Sequence, residues 1–373
     1  MFKRQAIIVG DKLIGEGQPC FIVAEAGVNH NGSLVTAKQL VDTAKTSGAD
    51  AVKFQIFIPE EVVSKDAAKA DYQKVTTGEG SQYKMLKKLA LTEEEFLELK
   101  NYAQKVGIIF FATPHDLVSV DIIKRLDLPI IKVASPDLNN GLIFKKLCDN
   151  PKLRIKPLFL STGASTLEEI KRSVDFLRQN GFIGPILIYH CISAYPAPLY
   201  DQNLNVITTF KEIFPNLSVG FSDNTGDVDI LKVSLCLGSV SIETNITLDR
   251  NMHGPDHKIS LNPTEFKNLV SKIRKLERNS ASYKTILESD KIQVALGDGN
   301  KRIMPSEVST MQMTRKSIVA SRNLKAGNMI TFDMLSARRP MGALSPMDFD
   351  RFISKKLVHN LNKGDEFKIE DIA

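Results

Sequence analysis

Apolar residues along this chain fall in short runs separated by segments of helical period. Eight runs read as strands: Phe21–Gly27, Ala51–Ile56, Ile108–Thr113, Ile130–Ser135, Pro157–Thr162, Ile186–Cys191, Ser218–Asp223 and Ser239–Thr244. In the segment Ser33–Gly48, Leu34, Ala37, Leu40, Val41 and Ala44 share one helical face between a Ser cap and a Gly stop. Thr92–Gly107 opens Thr-Glu-Glu-Glu, a capping box with acids at the positive helix end. Thr166–Gly181, Thr225–Gly238 and Pro263–Leu276 repeat the pattern. Strict strand–helix alternation implies parallel strands joined by right-handed crossovers. Eight such units close a barrel. The expected fold is α/β, a (β/α)8 TIM barrel over residues 1–278.

Three stretches depart from this rhythm. Residues 57–91 are longer than a crossover needs, are polar and carry Thr76-Thr-Gly-Glu-Gly80, so they read as an extended loop or lid over the rim. Residues 279–314 carry Gly297-Asp-Gly-Asn300 and little periodicity, and read as a linker. Beyond them Lys316–Ala320, Met329–Thr331 and Leu335–Arg338 alternate, between turns at Lys325-Ala-Gly-Asn328 and Asn362-Lys-Gly-Asp365. Residues 315–373 are therefore expected to form a small, mostly-β domain.

Composition narrows the class. The chain has 373 residues, 43% of them apolar, enough for a barrel core and an appendage. No apolar run approaches the ~18 residues of a membrane span. Met1-Phe-Lys-Arg-Gln-Ala-Ile-Ile-Val9 is too short for a signal peptide and runs straight into a strand-like pattern. Cys20, Cys148, Cys191 and Cys236 lie far apart in apolar contexts and read as free thiols of a reducing, cytoplasmic compartment. The formal charge of +6 is dispersed, which speaks against a nucleic-acid partner and suits an anionic substrate.

In a barrel of this kind the chemistry sits at the C-terminal strand ends. Those ends carry Glu25, Asn29 and His30; Lys53 and Gln55; Thr113; Lys132, Ser135 and Asp137; Ser161 and Thr162; His190, Ser193 and Tyr195; Ser222, Asp223 and Asn224; Glu243 and Asn245. Lysines and hydroxyls together suit a phosphate plus a carboxylate. The two glutamates suit proton transfer. A lone strand-end hydroxyl most often caps the next helix, the role expected of Ser33, Thr92 and Thr225. An inward lysine within an apolar run is harder to dismiss, because an unpaired buried charge is costly. His190 reads equally well as a core histidine. His115 and His359 read as surface residues, and Asp116–Asp127 as an amphipathic helix.

The motifs Glu25-Ala-Gly-Val-Asn-His-Asn-Gly32, Val52-Lys-Phe-Gln55, Ala112-Thr-Pro114, Ser161-Thr-Gly163, Gly220-Phe-Ser-Asp223 and Gly254-Pro-Asp-His257 resemble, in this order, those of the sialic acid synthases. That family includes N-acetylneuraminate synthase and the legionaminic and pseudaminic acid synthases. Lys316–Gly327 with Arg338-Arg-Pro340 resembles the family's antifreeze-like SAF domain. The resemblance implies a transferase that condenses phosphoenolpyruvate with an N-acetylated hexosamine, such as N-acetylmannosamine, to a nonulosonic acid and phosphate. It assigns Lys53, Thr113, Lys132, Ser135, Ser161 and Ser222 to phosphoenolpyruvate. Gln55, Asp137, Tyr195 and Asp256 would face the sugar, and Glu25 and Glu243 would handle protons or water. Arg339 would reach the acetamido group from the partner subunit of a domain-swapped homodimer.

One departure stands out. The family holds a divalent metal, usually manganese, on two histidines, and the matching positions here are Asn224 and Asn245. An amide oxygen can ligate a hard ion but lacks imidazole's strength for transition metals. Three readings follow: a weak manganese or magnesium site, a variant or metal-free reaction, or a synthase-like protein that only binds sugar or phosphate ligands. His190 and His257 are the histidines that could substitute as ligands.

Overall fold

The computed structural model describes residues 5–279 and 283–373. Met1–Arg4, where the expected N-terminal pattern begins, lie outside the described residues, as do residues 280–282 of the expected linker.

An antiparallel hairpin comes first, β1 (Ile7–Val9) and β2 (Lys12–Ile14). Eight parallel strands follow and close on themselves: β3 (Phe21–Gly27), β4 (Ala51–Ile56), β5 (Ile109–Pro114), β6 (Ile131–Val133), β7 (Leu158–Ser161), β8 (Ile186–His190), β9 (Ser218–Asp223) and β10 (Ser241–Asn245). Helices α1 (Leu34–Thr46), α5 (Glu93–Val106), α6 (Leu117–Arg125), α7 (Gly141–Asp149), α8 (Leu167–Gln179), α9 (Val206–Ile213), α10 (Val228–Cys236) and α11 (Pro263–Arg278) cover the outside. All eight expected strands are present, β3, β4 and β9 with the expected bounds and the other five with ends shifted by one or two residues. Ser33, Thr92, Thr166 and Asn262 cap their helices as side-chain acceptors. Thr225 does not. Asp227 caps α10, and Thr225 is instead tied to the Asp223 carboxylate. An acid two residues upstream competes for the hydroxyl before the helix can claim it.

The barrel interior follows from the period of two along a strand. Phe21 and Val23, Ala51, Phe111, Phe159, and Leu187 and Tyr189 pack together in the lower half. Ile7, Val9 and Ile14 of the hairpin join the same cluster and are at most 3% exposed, so the hairpin plugs the N-terminal end. Continuing each alternation two residues onward gives Glu25, Lys53, Thr113 and Ser161 on the same inward faces. The apolar and the reactive halves of the barrel are thus one pattern that changes chemistry midway.

Residues 57–91 are not a structureless loop. They form α2 (Pro59–Val62), α3 (Asp71–Thr77) and α4 (Gln82–Leu89), held by a small cluster of Val28, Phe57, Val62, Val63, Met85, Leu86 and Leu89. Residues 279–314 likewise carry α12 (Tyr283–Leu287), α13 (Asp290–Leu296) and α14 (Val308–Thr314). This connection is pinned to the barrel: the Leu204 and Asn205 amides donate to Ala295 and Leu296, and Glu307 is fully buried.

The C-terminal domain pairs β11 (Ser317–Ala320) with β12 (Leu335–Arg338) around a core of Ile318, Leu335, Phe352, Leu357 and Phe367. Met329–Thr331 contributes only an isolated bridge to Lys356. The domain packs onto its own barrel. Lys316, 2% exposed, donates to the His115 carbonyl and to Asp137 Oδ1 at 2.6 Å. Arg315 grips Glu169 with two bonds of 2.8 Å. No described helix is long and apolar enough to cross a membrane.

Candidate active site

Strand register sets the first contacts. Glu25 stands beside Lys53, Gln55 beside Thr113, Ser222 beside Glu243, and Asn245 beside Glu25. Three of these inward groups, with Lys132, form a buried ionic cluster. Lys53 Nζ lies 2.8 Å from Glu25 Oε2 and 3.5 Å from Glu243 Oε1. Lys132 Nζ lies 2.9 and 3.1 Å from the two Glu243 oxygens. Two ammoniums and two carboxylates balance on the barrel floor. Hydroxyls surround them: Thr113 Oγ1 accepts from Lys53 at 3.2 Å, and Ser222 donates to Glu243 at 3.1 Å.

The two lysines differ electrostatically. Burial works against the charge of each. Lys53 sits between both carboxylates, and Glu243 and Glu25 together raise it above the ordinary lysine value. Lys132 has only Glu243 close by and also feels Lys53, so burial wins and it is lowered. Its ammonium lies 4.9 Å from the Tyr189 ring centroid, which offers part of the missing solvation. That ring reaches Ser241 Oγ at 2.7 Å across Gly220, where a Cβ would meet it at 2.6 Å. Glu243 is buried, yet Lys132 and Lys53 hold it below the usual carboxylate range. Glu25 is raised, first by burial, against the pull of Lys53.

Above this floor lies a cavity of about 140 Å³. Lys53, Gln55, Thr113, Lys132, Ser135, Ser161, Tyr195, Ser222, Asp256, Arg339, Glu25, Glu243, Asn224 and Asn245 all line it. Ser135 Oγ accepts the Gly163 amide at 2.9 Å and meets Cys191 Sγ at 3.2 Å. A Cβ on Gly163 would fall 2.2 Å from Ser193 Oγ, which ties the Ser161-Thr-Gly163 motif to this wall. Tyr195 stacks on Tyr72 with centroids 4.7 Å apart. Arg339, expected from a partner, reaches the mouth from its own chain. Its backbone bridges to Val63, and Nη1 lies 3.4 Å from Gln82 Oε1. A second cleft of about 500 Å³ adjoins, sharing Met85, Leu89 and Pro255 and adding Lys69, Lys84, Lys88 and His253.

Asp137 does not line the cavity. It is fully buried and bound to Lys316 and Asn140 at 2.6 and 2.8 Å, with His115 Nδ1 at 3.4 Å. Burial would raise it, but Lys316 and His115 pull it well below the usual range. Its two-residue offset from Ser135 turns it onto the short helical turn after β6, towards the C-terminal domain.

His115, read as a surface residue, is 6% exposed and lines the cavity. Continuing the β5 alternation from Thr113 by two residues finds it. Tyr72, Gln73 and Thr310 also line the wall and lay in segments read as loop or linker. His190 Nε2 donates to Gln202 O at 2.7 Å among Phe210 and Phe221, a core role. His257 pairs with Thr247 Oγ1 at 2.7 Å. Neither is bonded to the asparagines. The thiols are free: Cys20, Cys148 and Cys191 are buried and Cys236 is partly so.

Asn224 Nδ2 donates to Ile192 O at 2.8 Å, and Asn245 Nδ2 lies 3.5 Å from Asn224 Oδ1. Among the described residues no three His, Cys, Asp or Glu side chains are grouped to hold a metal ion. Two neutral amides, one already accepting from the other, do not match the donor set of a transition-metal centre.

Asp256 stands apart. Burial, reinforced by Glu25, raises its carboxyl to about 7. A carboxyl raised on folding binds its proton more readily in the native chain. Its contribution to stability therefore falls as pH rises from the ordinary carboxylate range towards 7. Asp256→Asn should flatten that limb of the stability–pH curve, read by melts between pH of about 4 and about 8.

Comparison with known proteins places this geometry. The NeuB family model matches residues 40–284, and that of the SAF domain matches residues 315–373. The chain is 40% identical over 347 residues to the N,N'-diacetyllegionaminic acid synthase of Campylobacter jejuni, covering 92% of this chain and 97% of that protein. It is 30% identical over 362 residues to the N-acetylneuraminate-9-phosphate synthase of Mus musculus, covering 96% and 94%. The crystal structure of spore coat polysaccharide biosynthesis protein SpsE from Bacillus subtilis superposes with a TM-score of 0.79 at 28% identity, covering 99% of each chain.

Proposed function

This chain belongs to the NeuB family, and from that premise we propose that it condenses phosphoenolpyruvate with the open-chain aldehyde of an N-acetylated amino sugar. The observation that carries this reading is the buried Lys53–Glu25–Glu243–Lys132 cluster, ringed by hydroxyls, at the floor of a closed barrel. A buried, charge-balanced site is ready to trade its own carboxylates for a ligand's phosphate and carboxylate. Lys53, Lys132, Thr113, Ser135, Ser161 and Ser222 hold phosphoenolpyruvate. Gln55, Tyr195, Asp256 and Arg339 hold the sugar above it, with the adjoining cleft giving room for its tail. Asp137 serves the same site indirectly, by anchoring Lys316.

The reaction balances as follows. C3 of the enol bonds to the aldehyde carbon, whose π pair moves to oxygen and takes a proton. Water adds at C2; the new hydroxyl's electron pair then closes the C2 carbonyl as the C–O bond to phosphate breaks, and its remaining proton leaves with the phosphate. Glu25, whose burial favours the protonated form, supplies the proton, and Glu243 takes one from water. Most of the rate gain rests on orientation and on charges already in place.

The acceptor is N-acetylmannosamine or a diacetamido trideoxyhexose, the latter making the chain a legionaminic or pseudaminic acid synthase. Phosphate release from phosphoenolpyruvate, assayed with each sugar, tests the reading. Release with at least one sugar is expected; none with any would refute it. A second reading, a binder that has lost turnover, is favoured by the asparagine pair. It predicts thermal stabilisation by phosphoenolpyruvate without phosphate release. A homodimer that exchanges C-terminal domains would deliver Arg339 to the same mouth, with residues 279–314 as the crossing segment. Mixing Arg339→Ala chains with Lys53→Met chains tests this, since exchange would rebuild intact sites and restore activity.

A further inference from the structure

We propose that this site engages the sugar's carbonyl oxygen through the paired carboxamides of Asn224 and Asn245 and holds no divalent ion. The inference rests on the synthase reading above and adds what replaces the ion. Asn224 is only 9% exposed, and its bond to Ile192 O fixes which way the amide points. Its Oδ1 then faces Asn245 Nδ2 at 3.5 Å, so the oxygen a cation would need is turned to a neighbouring N–H.

Three of the nearby carboxylates are already committed in the free site, and the fourth on the wall, Asp256, is not grouped with two further His, Cys, Asp or Glu side chains among the described residues. Glu243 serves Lys132, Lys53 and Ser222. Asp223 accepts from Thr225, Gly226 and Thr244. Glu25 serves Lys53 and Gln55. Hard ions demand several oxygen ligands, most of them carboxylate or water. Two amides on adjacent strands offer neither the charge nor the number. What they do offer is N–H groups on a rigid rim, beside the floor where phosphoenolpyruvate binds. Such donors stabilise charge that develops on a carbonyl oxygen, and removing one costs about 10²–10³-fold in rate.

The experiment has two readouts. Manganese alone is titrated into chelator-treated protein and the free-ion electron paramagnetic resonance signal is followed. Wild type should leave that signal undiminished, whereas Asn224→His with Asn245→His should take it up about 10–100-fold more tightly. Stoichiometric uptake by wild type would overturn the proposal whether or not the protein turns over. In the second readout, phosphate release should survive chelator treatment in wild type. Asn245→Leu, and Asn245→Asp as the variant that keeps the side chain's size and removes its donors, should lower kcat about 10²-fold with KM for phosphoenolpyruvate unchanged. Loss of release on chelation, or full kcat in both variants, would sink the carbonyl role. Absence of release with every sugar would refute the synthase reading itself and with it the carbonyl role, while the manganese titration still decides the ion.

Discussion

Lys53→Met should lower kcat/KM for phosphoenolpyruvate by about 10²–10³-fold. Truncating one member of a buried, hydrogen-bonded charge pair costs about 2–5 kcal/mol, and each 1.4 kcal/mol is about tenfold. The lysine is 3% exposed and touches both carboxylates of the cluster as well as Thr113. Its loss therefore leaves Glu25 without its cation and Glu243 with Lys132 alone. The same change should destabilise the free protein, because an anion is left buried and uncompensated. A second substitution separates the two effects. Adding Glu25→Gln to Lys53→Met removes the stranded charge, so unfolding free energy should recover, while binding of phosphoenolpyruvate, read as its thermal shift because Glu25 is itself the proton donor, stays weak. If binding recovered with stability, Lys53 would be a folding residue and not a ligand clamp.

Lys316→Met should cost about 3–5 kcal/mol of unfolding free energy, the penalty for orphaning one partner of a buried pair. Lys316 and Asp137 are at most 2% exposed, so bulk solvent screens neither. The pair joins the first strand of the C-terminal domain to the turn after β6. Its loss should loosen that domain and, with it, Arg339. Denaturant unfolding measures the cost. KM for the sugar should rise more than KM for phosphoenolpyruvate, since only the mouth depends on the docked domain. The pH dependence has a defined sign. The carboxyl of Asp137 is held below its unfolded value, so its stabilisation is complete above the ordinary carboxylate range and is lost as pH falls through the depressed value. Asp137→Asn should be less stable than wild type near neutrality and approach it in acid.

Much of the barrel could be read from residue order because its signals are local. Period two marks the inward faces of β3, β4 and β10, and caps such as Thr92 and Thr166 mark helix starts. The failures share a physical cause, which is packing against something distant. Helices α2 and α4 are short, and their apolar residues form a satellite cluster with Val28 and Phe57, so no amphipathic stripe of useful length exists. Glu307 is buried because it accepts the amides of Ala164 and Ser193, more than a hundred residues away, which composition cannot show. His115 follows a proline and precedes an acid, a polar setting by sequence, yet the end of β5 turns it inward. Asp137 was legible as a rim residue and not as the anchor of another domain.

Among the described residues the hairpin of Ile7–Val9 and Lys12–Ile14 closes one end of the barrel, and the opposite rim serves as its door. Whatever binds at the floor enters and leaves past Arg339, Tyr195 and the asparagine rim. On the proposed placement of the two substrates, the deep ligand would arrive before the shallow one and could not depart while the mouth is filled. The chamber thus imposes a queue on its visitors: the three-carbon acid first, the sugar second, with the joined product or the freed phosphate clearing the threshold before the next pair is admitted.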